Sequence, residues 1–312
     1  MKVVISEFMD EPAIAAELSG LDVVYDPGLV DRTDALHAAL ADADALIVRN
    51  RTQVRESLLA AAPNLRAVGR LGVGLDNIDV DACAKRGVAV FPATGANDTS
   101  VAEYVIAAAL VLLRGAYGSS AAVVDGRWPR AKLMGREIAG KRLGLVGFGS
   151  IARQTAQRAA ALGMDISAHD PFVADGDPAW RPDHGPVERT TLDDLLGQSD
   201  VVSLHVPLSP ETRGLIGAPA LARMKADAVL INAARGGVVD EAALADALRA
   251  GRLGGAALDV FEREPLDAES GAVFRDAPNL ILTPHIAGVT HEANARVSLV
   301  TARAVRRHLT GD

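Results

Sequence analysis

The stretch from Leu143 to Asp170 constrains the fold of this chain more than any other. Apolar residues at 143–146 lead into Gly147-Phe148-Gly149-Ser150-Ile151-Ala152, and a helix-like run and a second short strand follow before Asp170. A strand, a glycine turn and a helix in this order are typical of a dinucleotide site, where the helix N-terminus faces the pyrophosphate. The stretch therefore predicts a domain that binds a dinucleotide.

Individual residues of the turn fit that interpretation. Gly147 permits a tight turn, Gly149 lets the backbone approach a phosphate, and the small Ala152 lets helix and strand pack closely. Asp170 stands about where an acid accepts hydrogen bonds from the adenosine ribose hydroxyls. Pro171 and Phe172 follow it, with no Arg or Lys to meet a 2′-phosphate. We therefore expect NAD rather than NADP.

Composition and charge narrow the possible partners. A chain of 312 residues is long enough for two domains, and 49% hydrophobic with 23% charged residues suits an α/β protein. The net charge of −8 argues against a nucleic-acid surface, because binding a polyphosphate needs clustered cations. The expected partner is a small molecule.

Further features bear on location and on metals. Cys83 is the single cysteine, which excludes an internal disulfide and fits a reducing cytoplasm. The N-terminal residues reach Glu7 too soon for a signal-peptide core, and the apolar run Val105–Leu113 is too short to span a membrane. These features predict a cytoplasmic protein. No spacing of His, Asp or Glu predicts a metal site, so we expect no bound metal.

Short β-rich runs alternate with helical runs along the chain, which predicts mostly parallel sheets covered by helices. Residues 1–97 form one such unit, and a long helix from Asp98 to about Gly115 leads into the second, at 98–284. A final helix, about His291 to Leu309, could return to pack on the first unit. That return would make the first domain discontinuous, 1–97 with 285–312. The stretch from Asp170 to Thr190, rich in Pro, Gly and Asp, is expected to be a surface loop.

Three segments near the ends of predicted strands carry candidate catalytic side chains. Arg235 stands in Asn232-Ala233-Ala234-Arg235-Gly236-Gly237, where we expect the glycines to keep space around the guanidinium clear. Its planar fork of donors suits a carboxylate, although a salt-bridged surface Arg is the alternative. His285 follows another strand, in Thr283-Pro284-His285. It could act as a general acid and base if Glu264 orients it, and is otherwise structural.

These segments occur in the order and spacing of the D-isomer-specific 2-hydroxyacid dehydrogenases, which the chain resembles over nearly its whole length. The glycine turn with Asp170, the segment around Arg235, the Asp259–Pro265 segment and the Thr283–Gly288 segment carry the likeness. In the first domain, the segments 48–52, 69–79 and 97–103 resemble the phosphoglycerate dehydrogenase branch, whereas the opening Ile5–Glu11 looks more like the sulfolactate dehydrogenases of this family.

The resemblance implies a fold, a reaction and a set of residue roles. A Rossmann NAD-binding domain would be inserted into a discontinuous, flavodoxin-like substrate domain, both with doubly wound parallel sheets. Hydride would pass between NAD and C2 of a small D-2-hydroxy acid. Arg235 would hold the substrate carboxylate and C2 oxygen, His285 would carry the proton, and Glu264 would position His285. The implied cofactor contacts are Gly147, Gly149, Ser150, Ile151, Asp170, His205, Ala233 and Asp259, with packing an equal alternative for His205.

The resemblance also implies substrate contacts in the first domain. Backbone N–H groups of Val73 and Gly74 would bind the substrate carboxylate. Arg49, Arg51 and Arg70 flank loops that face the substrate in this family, and together they would favour a second anionic group, such as a phosphate or sulfonate. Any of them could instead pair with an acid such as Glu7 or Asp76. A homodimer is also expected, through the second domain and the apolar helix near Val105–Leu113.

Other functions, both inside and outside this family, have to be weighed against the dehydrogenase. Formate dehydrogenases of this superfamily carry Gln where Glu264 stands, and glyoxylate reductases that use NADP place basic residues where Pro171-Phe172 stand, so neither fits. An NADH-sensing corepressor or scaffold on the same fold could keep the whole catalytic trio. Turnover with a D-2-hydroxy acid would separate the enzyme from the sensor.

Overall fold

The computed structural model describes residues 1–311, which fold into two compact units. One unit is Met1–Asn97 with Val289–Asp312, and the other is Asp98–Gly288. The strands are β1 (Lys2–Ile5), β2 (Asp22–Tyr25), β3 (Ala45–Val48), β4 (Ala67–Arg70), β5 (Ala89–Pro92), β6 (Arg142–Val146), β7 (Asp165–His169), β8 (Glu188–Arg189), β9 (Val201–Leu204), β10 (Val229–Asn232), β11 (Gly255–Leu258) and β12 (Leu280–Leu282).

The helices alternate with these strands. They are α1 (Glu11–Glu17), α2 (Thr33–Leu40), α3 (Glu56–Ala60), α4 (Val80–Lys85), α5 (Asp98–Arg114), α6 (Ser120–Val124), α7 (Ser150–Ala161), α8 (Leu192–Gln198), α9 (Ala218–Leu221), α10 (Glu241–Arg249) and α11 (His291–Thr310). Short 3-10 helices lie at Leu29–Asp31, Tyr117–Ser119, Arg130–Leu133, Pro178–Trp180 and Ser270–Phe274.

The first unit is built on a parallel sheet of five strands within the described residues, in the order β2-β1-β3-β4-β5. The apolar side chains of β1 and β3 are fully buried, and the sheet has a hydrophobic core on each face. This strand order is that of flavodoxin-like folds. The middle strand β3 is apolar throughout because helices cover both faces of the sheet.

The C-terminal helix α11 completes this first unit. Val297, Ala302, Val305 and Leu309 lie in the core shared with β1, β3 and β4. Gly69 in β4 makes this packing possible, because a Cβ there would lie 2.6 Å from the Thr301 side chain and 2.8 Å from the Val305 side chain. Thr290 caps the start of the helix, and Gly311 ends it in the left-handed conformation.

The second unit holds a parallel sheet of seven strands within the described residues, in the order β12-β11-β10-β9-β6-β7-β8. The order reverses at β6, so the crevice at the carboxyl ends of β6 and β9 is a switch point, where open α/β sheets bind ligands. The loops after β6, β10, β11 and β12 carry the candidate residues. The predicted fold class, two doubly wound parallel-sheet units, is confirmed.

One sequence interpretation needs correction. The stretch from Asp170 to Thr190 is not simply a surface loop, because it contains Pro178–Trp180 and β8, which pairs with β7. Trp180 is 6% exposed and stacks on Phe148, with ring centroids 5.0 Å apart. One buried aromatic side chain therefore anchors a segment whose composition predicts a loop.

Within residues 1–311, no single helix is long and apolar enough to cross a bilayer. Helix α5 and the segment Tyr117–Val124 reach that length and apolarity only as a pair, bent by 64°.

Candidate active site

The glycine turn after β6 has the geometry that a dinucleotide needs. Gly147 adopts φ +90°, and a Cβ there would lie 2.5 Å from the carbonyl oxygen of His205. Both observations require glycine at this position. Ala152 in the first turn of α7 is fully buried, so a small residue also fits there. The sequence prediction for these two positions matches the local geometry.

The start of α7 has room for a phosphate. Gly149 is the N-cap of the helix, and a Cβ at Gly149 would meet no atom within 4 Å. Ser150 is exposed and Ile151 is half-buried, so the first N–H groups of the helix lie beside open space. Unpaired N–H groups at a helix start attract an anion, and this open glycine cradle fits the pyrophosphate of NAD.

Asp170 stands at the end of β7 beside the same turn. Its Oδ2 accepts a hydrogen bond from the Phe148 N–H at 2.8 Å, and its Oδ1 accepts one from the Phe172 N–H at 2.8 Å. Each carboxylate oxygen keeps a second lone pair that a ribose hydroxyl could use. The negative charge would repel a 2′-phosphate, so the position fits NAD.

His205 lies directly across the turn from Gly147. Its backbone N–H donates to the Val146 carbonyl at 2.7 Å, and its Nε2 lies 3.0 Å from the Ser203 hydroxyl oxygen. Burial lowers the pKa of His205 to about 4, so the imidazole is neutral at pH 7. A neutral ring suits the wall of a nucleotide pocket; its contact with the cofactor stays a prediction.

The Arg235 turn is shaped by the side chain of Asn232 at the end of β10. The Asn232 amide nitrogen donates to the Arg235 carbonyl at 2.9 Å, and its Oδ1 accepts from the Ala234 N–H at 3.1 Å. Asn232 is 1% exposed, whereas Ala233 and Arg235 are half-buried. A buried amide thus fixes the loop that presents the guanidinium, a role that the sequence analysis missed.

The glycines after Arg235 serve a purpose different from the predicted one. A Cβ at Gly236 would lie 1.7 Å from the Phe261 carbonyl oxygen, which no side chain could tolerate. Gly237 adopts φ +78°, a left-handed conformation. Gly236 therefore lets the loop that carries Glu264 pack against the Arg235 loop, instead of clearing space around the guanidinium.

Glu264 and His285 form a direct pair. Glu264 Oε2 lies 2.7 Å from His285 Nδ1, and Glu264 Oε1 accepts the Phe261 N–H at 3.0 Å. Burial raises the pKa of Glu264, but the bonds from His285 and Phe261 and the charges of His285 and Arg235 together hold it below its usual value. The structure therefore pairs Glu264 directly with His285, and Arg235 lies in the same unit.

Asp259, which is 1% exposed, holds the His285 loop through hydrogen bonds. The carboxylate of Asp259 accepts the N–H groups of Ile286 and Ala287, each at 2.8 Å, and its carbonyl accepts the His285 N–H at 2.8 Å. Asp259 therefore organises the segment around His285. Its predicted contact with the nicotinamide stays a prediction.

The predicted substrate residues of the first unit differ from one another in their surroundings. Arg51 is exposed and pairs with Asp31, an acid that the sequence analysis did not single out. Arg49 is half-buried and donates to the Asn294 Oδ1 of α11 at 2.8 Å. The N–H groups of Val73 and Gly74 make no hydrogen bond within residues 1–311, so both could donate to an anion.

The loop at 49–52 is held by Glu7, which the sequence analysis considered only as a possible ion-pair partner of the arginines. Glu7, 5% exposed, accepts the backbone N–H groups of Arg49, Asn50, Arg51 and Thr52 at 2.9, 3.3, 3.1 and 2.9 Å. Burial raises the pKa of Glu7, but the N–H donors of this loop lower it by more, so the carboxylate is ionised. An acid two residues after the end of the apolar strand β1 was the available signal.

Groups of three or more His, Cys, Asp or Glu placed to hold a metal ion do not occur within the described part of the chain. The polar groups described above can instead bind a dinucleotide and an anionic substrate and can move a proton.

Comparison with known proteins identifies the family. The family described as D-isomer specific 2-hydroxyacid dehydrogenase, NAD binding domain, matches residues 106–287. An (S)-sulfolactate dehydrogenase of Chromohalobacter salexigens is 58% identical over 98% of this chain and 98% of its own length. A D-3-phosphoglycerate dehydrogenase of Archaeoglobus fulgidus is 40% identical over 98% of this chain but 56% of its own, so this chain spans little more than half of that relative.

A solved structure agrees with the sequence comparisons. The D-lactate dehydrogenase of Aquifex aeolicus, complexed with NAD and lactic acid, has a TM-score of 0.85 and is 29% identical, covering 100% of this chain and 96% of that one. The predicted family, cofactor and type of enzyme are confirmed. The chain therefore belongs to the D-isomer-specific 2-hydroxyacid dehydrogenases, and it is an NAD-dependent enzyme of that family.

Proposed function

We propose that this enzyme interconverts (S)-3-sulfolactate and the corresponding 2-keto acid. The observation that carries the proposal is the 58% identity, over 98% of both chains, to an (S)-sulfolactate dehydrogenase. The phosphoglycerate dehydrogenase relative is 40% identical and extends well beyond the matched region. Both relatives are named for acids with a second anionic group, which is the substrate class that the first unit predicts.

The stereochemical label is consistent with a D-specific family. In a sulfolactate, the carbon that bears sulfur outranks the carboxyl carbon in the naming rules, whereas in lactate the carboxyl carbon outranks the methyl group. The same spatial arrangement at C2 is therefore called (R) in D-lactate and (S) in sulfolactate. One active-site handedness serves both acids, and the enzyme should reject (R)-sulfolactate.

The proposed roles follow from the geometry of the second unit. Arg235 binds the substrate carboxylate and C2 oxygen through its guanidinium fork. His285 holds the hydroxyl proton at Nε2, because Nδ1 is engaged by Glu264. Bound NAD would supply the hydride acceptor. The ionised Glu264 keeps the ring oriented and stabilises the imidazolium that forms.

His285 must begin neutral for oxidation of the hydroxy acid and protonated for reduction of the keto acid. Proton transfer by a positioned side chain contributes about 10²–10⁴ in rate. Arg235 adds electrostatic stabilisation as charge develops on the C2 oxygen. These contributions require Arg235 and His285 to act on the same substrate oxygen.

In the first unit, we assign the N–H groups of Val73 and Gly74 to the substrate carboxylate and Arg49 to the sulfonate. Arg49 is fixed at its guanidinium by Asn294 and at its backbone by Glu7. Arg51, already paired with the exposed Asp31, contributes positive charge rather than a direct contact.

We also propose that the enzyme is a cytoplasmic homodimer. Exposed apolar side chains follow α5, with Tyr117, Val124, Trp128 and Met134 between 68% and 86% exposed. Light scattering should give twice the chain mass of 32.4 kDa, and a monomer at micromolar concentration would contradict the proposal. Cys83, the single cysteine, is buried, and a lone thiol fits a reducing compartment.

A substrate panel tests the activity. Initial rates of NADH formation are measured with (S)- and (R)-3-sulfolactate, D-3-phosphoglycerate and D-lactate. We expect the highest kcat/KM with (S)-3-sulfolactate. Arg49→Gln should lower it by roughly 10–100-fold, because a charged hydrogen bond contributes about 1.5–3 kcal/mol, and should spare D-lactate, which lacks the second anion.

The exposed Arg66→Gln is the matched control and should leave all rates unchanged. Equal kcat/KM for lactate and sulfolactate, or faster turnover of D-3-phosphoglycerate, would reject the proposed substrate.

A further inference from the structure

A hydrogen-bond chain connects the long helix α5 to the loop that carries His285. The Tyr104 hydroxyl oxygen lies 2.7 Å from Thr283 Oγ1, and Thr283 Oγ1 donates to Asp259 Oδ1 at 2.6 Å. Tyr104 lies in the middle of α5, and Thr283 directly follows β12. All three residues belong to the second unit, and the reaction proposed above gives Tyr104 and Thr283 no role.

Counting protons fixes the direction of this chain. Thr283 has one hydroxyl proton and gives it to Asp259 Oδ1. The Tyr104 hydroxyl must then donate to Thr283. Burial raises the pKa of Tyr104, the hydrogen bond with Thr283 lowers it, and the charge of Asp259 raises it, with a net rise. The phenol therefore stays protonated and remains a donor.

Asp259 links the Tyr104-Thr283 hydrogen bonds to the backbone around His285. Its Oδ1 accepts the Thr283 hydroxyl and the Ile286 N–H, while its Oδ2 accepts the Ala287 N–H. Rotation of the Asp259 carboxylate would break the bonds to Ile286 and Ala287. The Tyr104-Thr283 pair opposes that rotation by fixing one of the two oxygens.

His285 itself needs external support. It adopts φ +55°, a left-handed conformation that a residue with a side chain seldom occupies. Such a conformation persists where the surrounding structure over-determines it. Here the hydrogen bonds to Asp259 lie on either side of the His285 Cα, so they set the direction in which the imidazole leaves the chain.

We propose that Tyr104 is a positioning residue for the reaction, acting through Thr283 and Asp259 to hold the His285 imidazole at the substrate C2 oxygen. The proposal rests on the proposed role of His285 as the proton carrier. Tyr104 touches neither substrate nor cofactor in this scheme. Its loss should therefore reduce kcat with little effect on substrate KM.

The expected size follows from the sensitivity of proton transfer to distance. A displacement of about 1 Å in a catalytic group can cost about 100-fold in rate. Removing one member of the chain loosens the loop without deleting the imidazole, so we expect Tyr104→Phe to lower kcat by about tenfold. Thr283→Val should have a similar or larger effect, whereas Thr283→Ser keeps the hydroxyl and should remain within about twofold of the wild type.

The decisive kinetic comparison is a double-mutant cycle on the holoenzyme. If Tyr104 acts through Thr283, the variant carrying both Tyr104→Phe and Thr283→Val should be no slower than Thr283→Val alone. Tyr25→Phe is the matched control, because its hydroxyl donates to the Met9 carbonyl at 3.1 Å in the other unit. It removes a comparable phenol bond and should leave kcat unchanged.

A second readout does not depend on turnover. In protein with 13C-labelled histidine and no cofactor, the ring Cε1 resonance of His285, assigned with His285→Gln, should shift in Tyr104→Phe and Thr283→Val. It should stay unchanged in Tyr25→Phe. If the His285 resonance shifts in these variants but the enzyme turns over none of the four acids, the hydrogen-bond chain from Tyr104 to His285 is supported and the proposed function is rejected.

Two results would overturn the proposal. One is a Tyr104→Phe variant with kcat within twofold of the wild type and an unchanged His285 resonance. The other is additive losses in the double variant, which would show that Tyr104 acts independently of Thr283.

Discussion

Glu264 divides its two carboxylate oxygens between a backbone N–H and the imidazole. Oε1 accepts the Phe261 N–H at 3.0 Å, and Oε2 lies 2.7 Å from His285 Nδ1. The first bond fixes the carboxylate before any substrate arrives, so the ring orientation is pre-set. The pKa of Glu264 is lowered below its usual value. The stabilisation by the ionised carboxylate is therefore fully present at a pH above the usual pKa and is lost as the pH falls through the lowered pKa.

The charge of Glu264 should be visible in the pH profile. Glu264→Gln keeps a hydrogen-bond acceptor but removes the negative charge that stabilises the imidazolium. The acidic limb of kcat/KM for oxidation should therefore move to lower pH, because Gln has no carboxylate to be protonated as the pH falls through the lowered pKa of Glu264. We also expect kcat to fall by roughly 10–100-fold. An unchanged acidic limb in a folded Glu264→Gln variant would contradict the assigned role of the pair.

Asp170 should decide the choice between NAD and NADP. Its carboxylate is held by the N–H groups of Phe148 and Phe172, so it cannot turn away from a 2′-phosphate. We expect Asp170→Ala to raise the KM for NAD by about tenfold, the size of one or two lost hydrogen bonds, and to narrow the preference over NADP. Steady-state kinetics with both cofactors measure this. An unaltered ratio would show that other residues set the preference.

At the residue scale, the sequence predicts site residues that follow strands but not those that meet only through long-range contacts. Arg235, Glu264 and His285 follow strands, and strand ends meet at one edge of a parallel sheet, so their proximity was predictable. Tyr104 and Thr283 touch across 179 positions of sequence, and Glu7 reaches the 49–52 loop across more than 40. No local spacing reports such contacts.

At the scale of elements, the approach of two loops at Gly236 assembles the site. The Phe261 carbonyl occupies the space where a Gly236 side chain would lie. The loop after β10 and the loop after β11 therefore fit together only with glycine at this position. The loop that carries Arg235 and the loop that carries Glu264 are therefore adjacent.

Gly236→Ala should separate these two loops. The added Cβ would lie 1.7 Å from the Phe261 carbonyl, so the backbone must shift. We expect a loss of about 1–3 kcal/mol of stability and a fall in kcat/KM of at least about 100-fold. Gly176→Ala is the control, because a Cβ there meets nothing within 4 Å. Wild-type kinetics in Gly236→Ala would refute the close approach.

The helix α11 offers a matched pair of substitutions. Val305 is fully buried in the core of the first unit, whereas Val300 on the same helix is 41% exposed. Val305→Asp should lower the free energy of unfolding by roughly 3–5 kcal/mol, because it buries an unpaired charge. Val300→Asp should change it by less than about 0.5 kcal/mol. Equal thermal shifts in the two variants would contradict the packing of α11 on the first unit.

Element prediction succeeded where the hydrophobic pattern was long and failed where it was short. The helices α5 and α11 were placed within a few residues of their observed bounds. The two-residue strand β8 and the short helix α6 went unseen, because so few residues carry no periodicity.

At the scale of the whole molecule, alternation of strands and helices predicts parallel sheets but not the order of their strands. The structure shows a switch at β6 in one sheet and at β1 in the other. Only the family resemblance, which implied a Rossmann and a flavodoxin-like fold, pointed to these orders. Alternation alone is compatible with several orders, because it does not state on which side of a strand the next one pairs.

The overall charge of −8 does not oppose an anionic substrate, because local cations decide binding. Arg49 and Arg235 are both half-buried, where their charges are less screened than on the surface. The acidic remainder of the surface favours solubility and disfavours polyanions.

The most direct test of the central claim is the rate of NADH formation with (S)-3-sulfolactate by the wild type, Arg235→Ala and His285→Ala. The account predicts turnover by the wild type and losses of at least about 100-fold in kcat/KM for both variants, while NADH binding measured by fluorescence stays within about threefold. Tight NADH binding with no turnover of any D-2-hydroxy acid, or variants as active as the wild type, would contradict it.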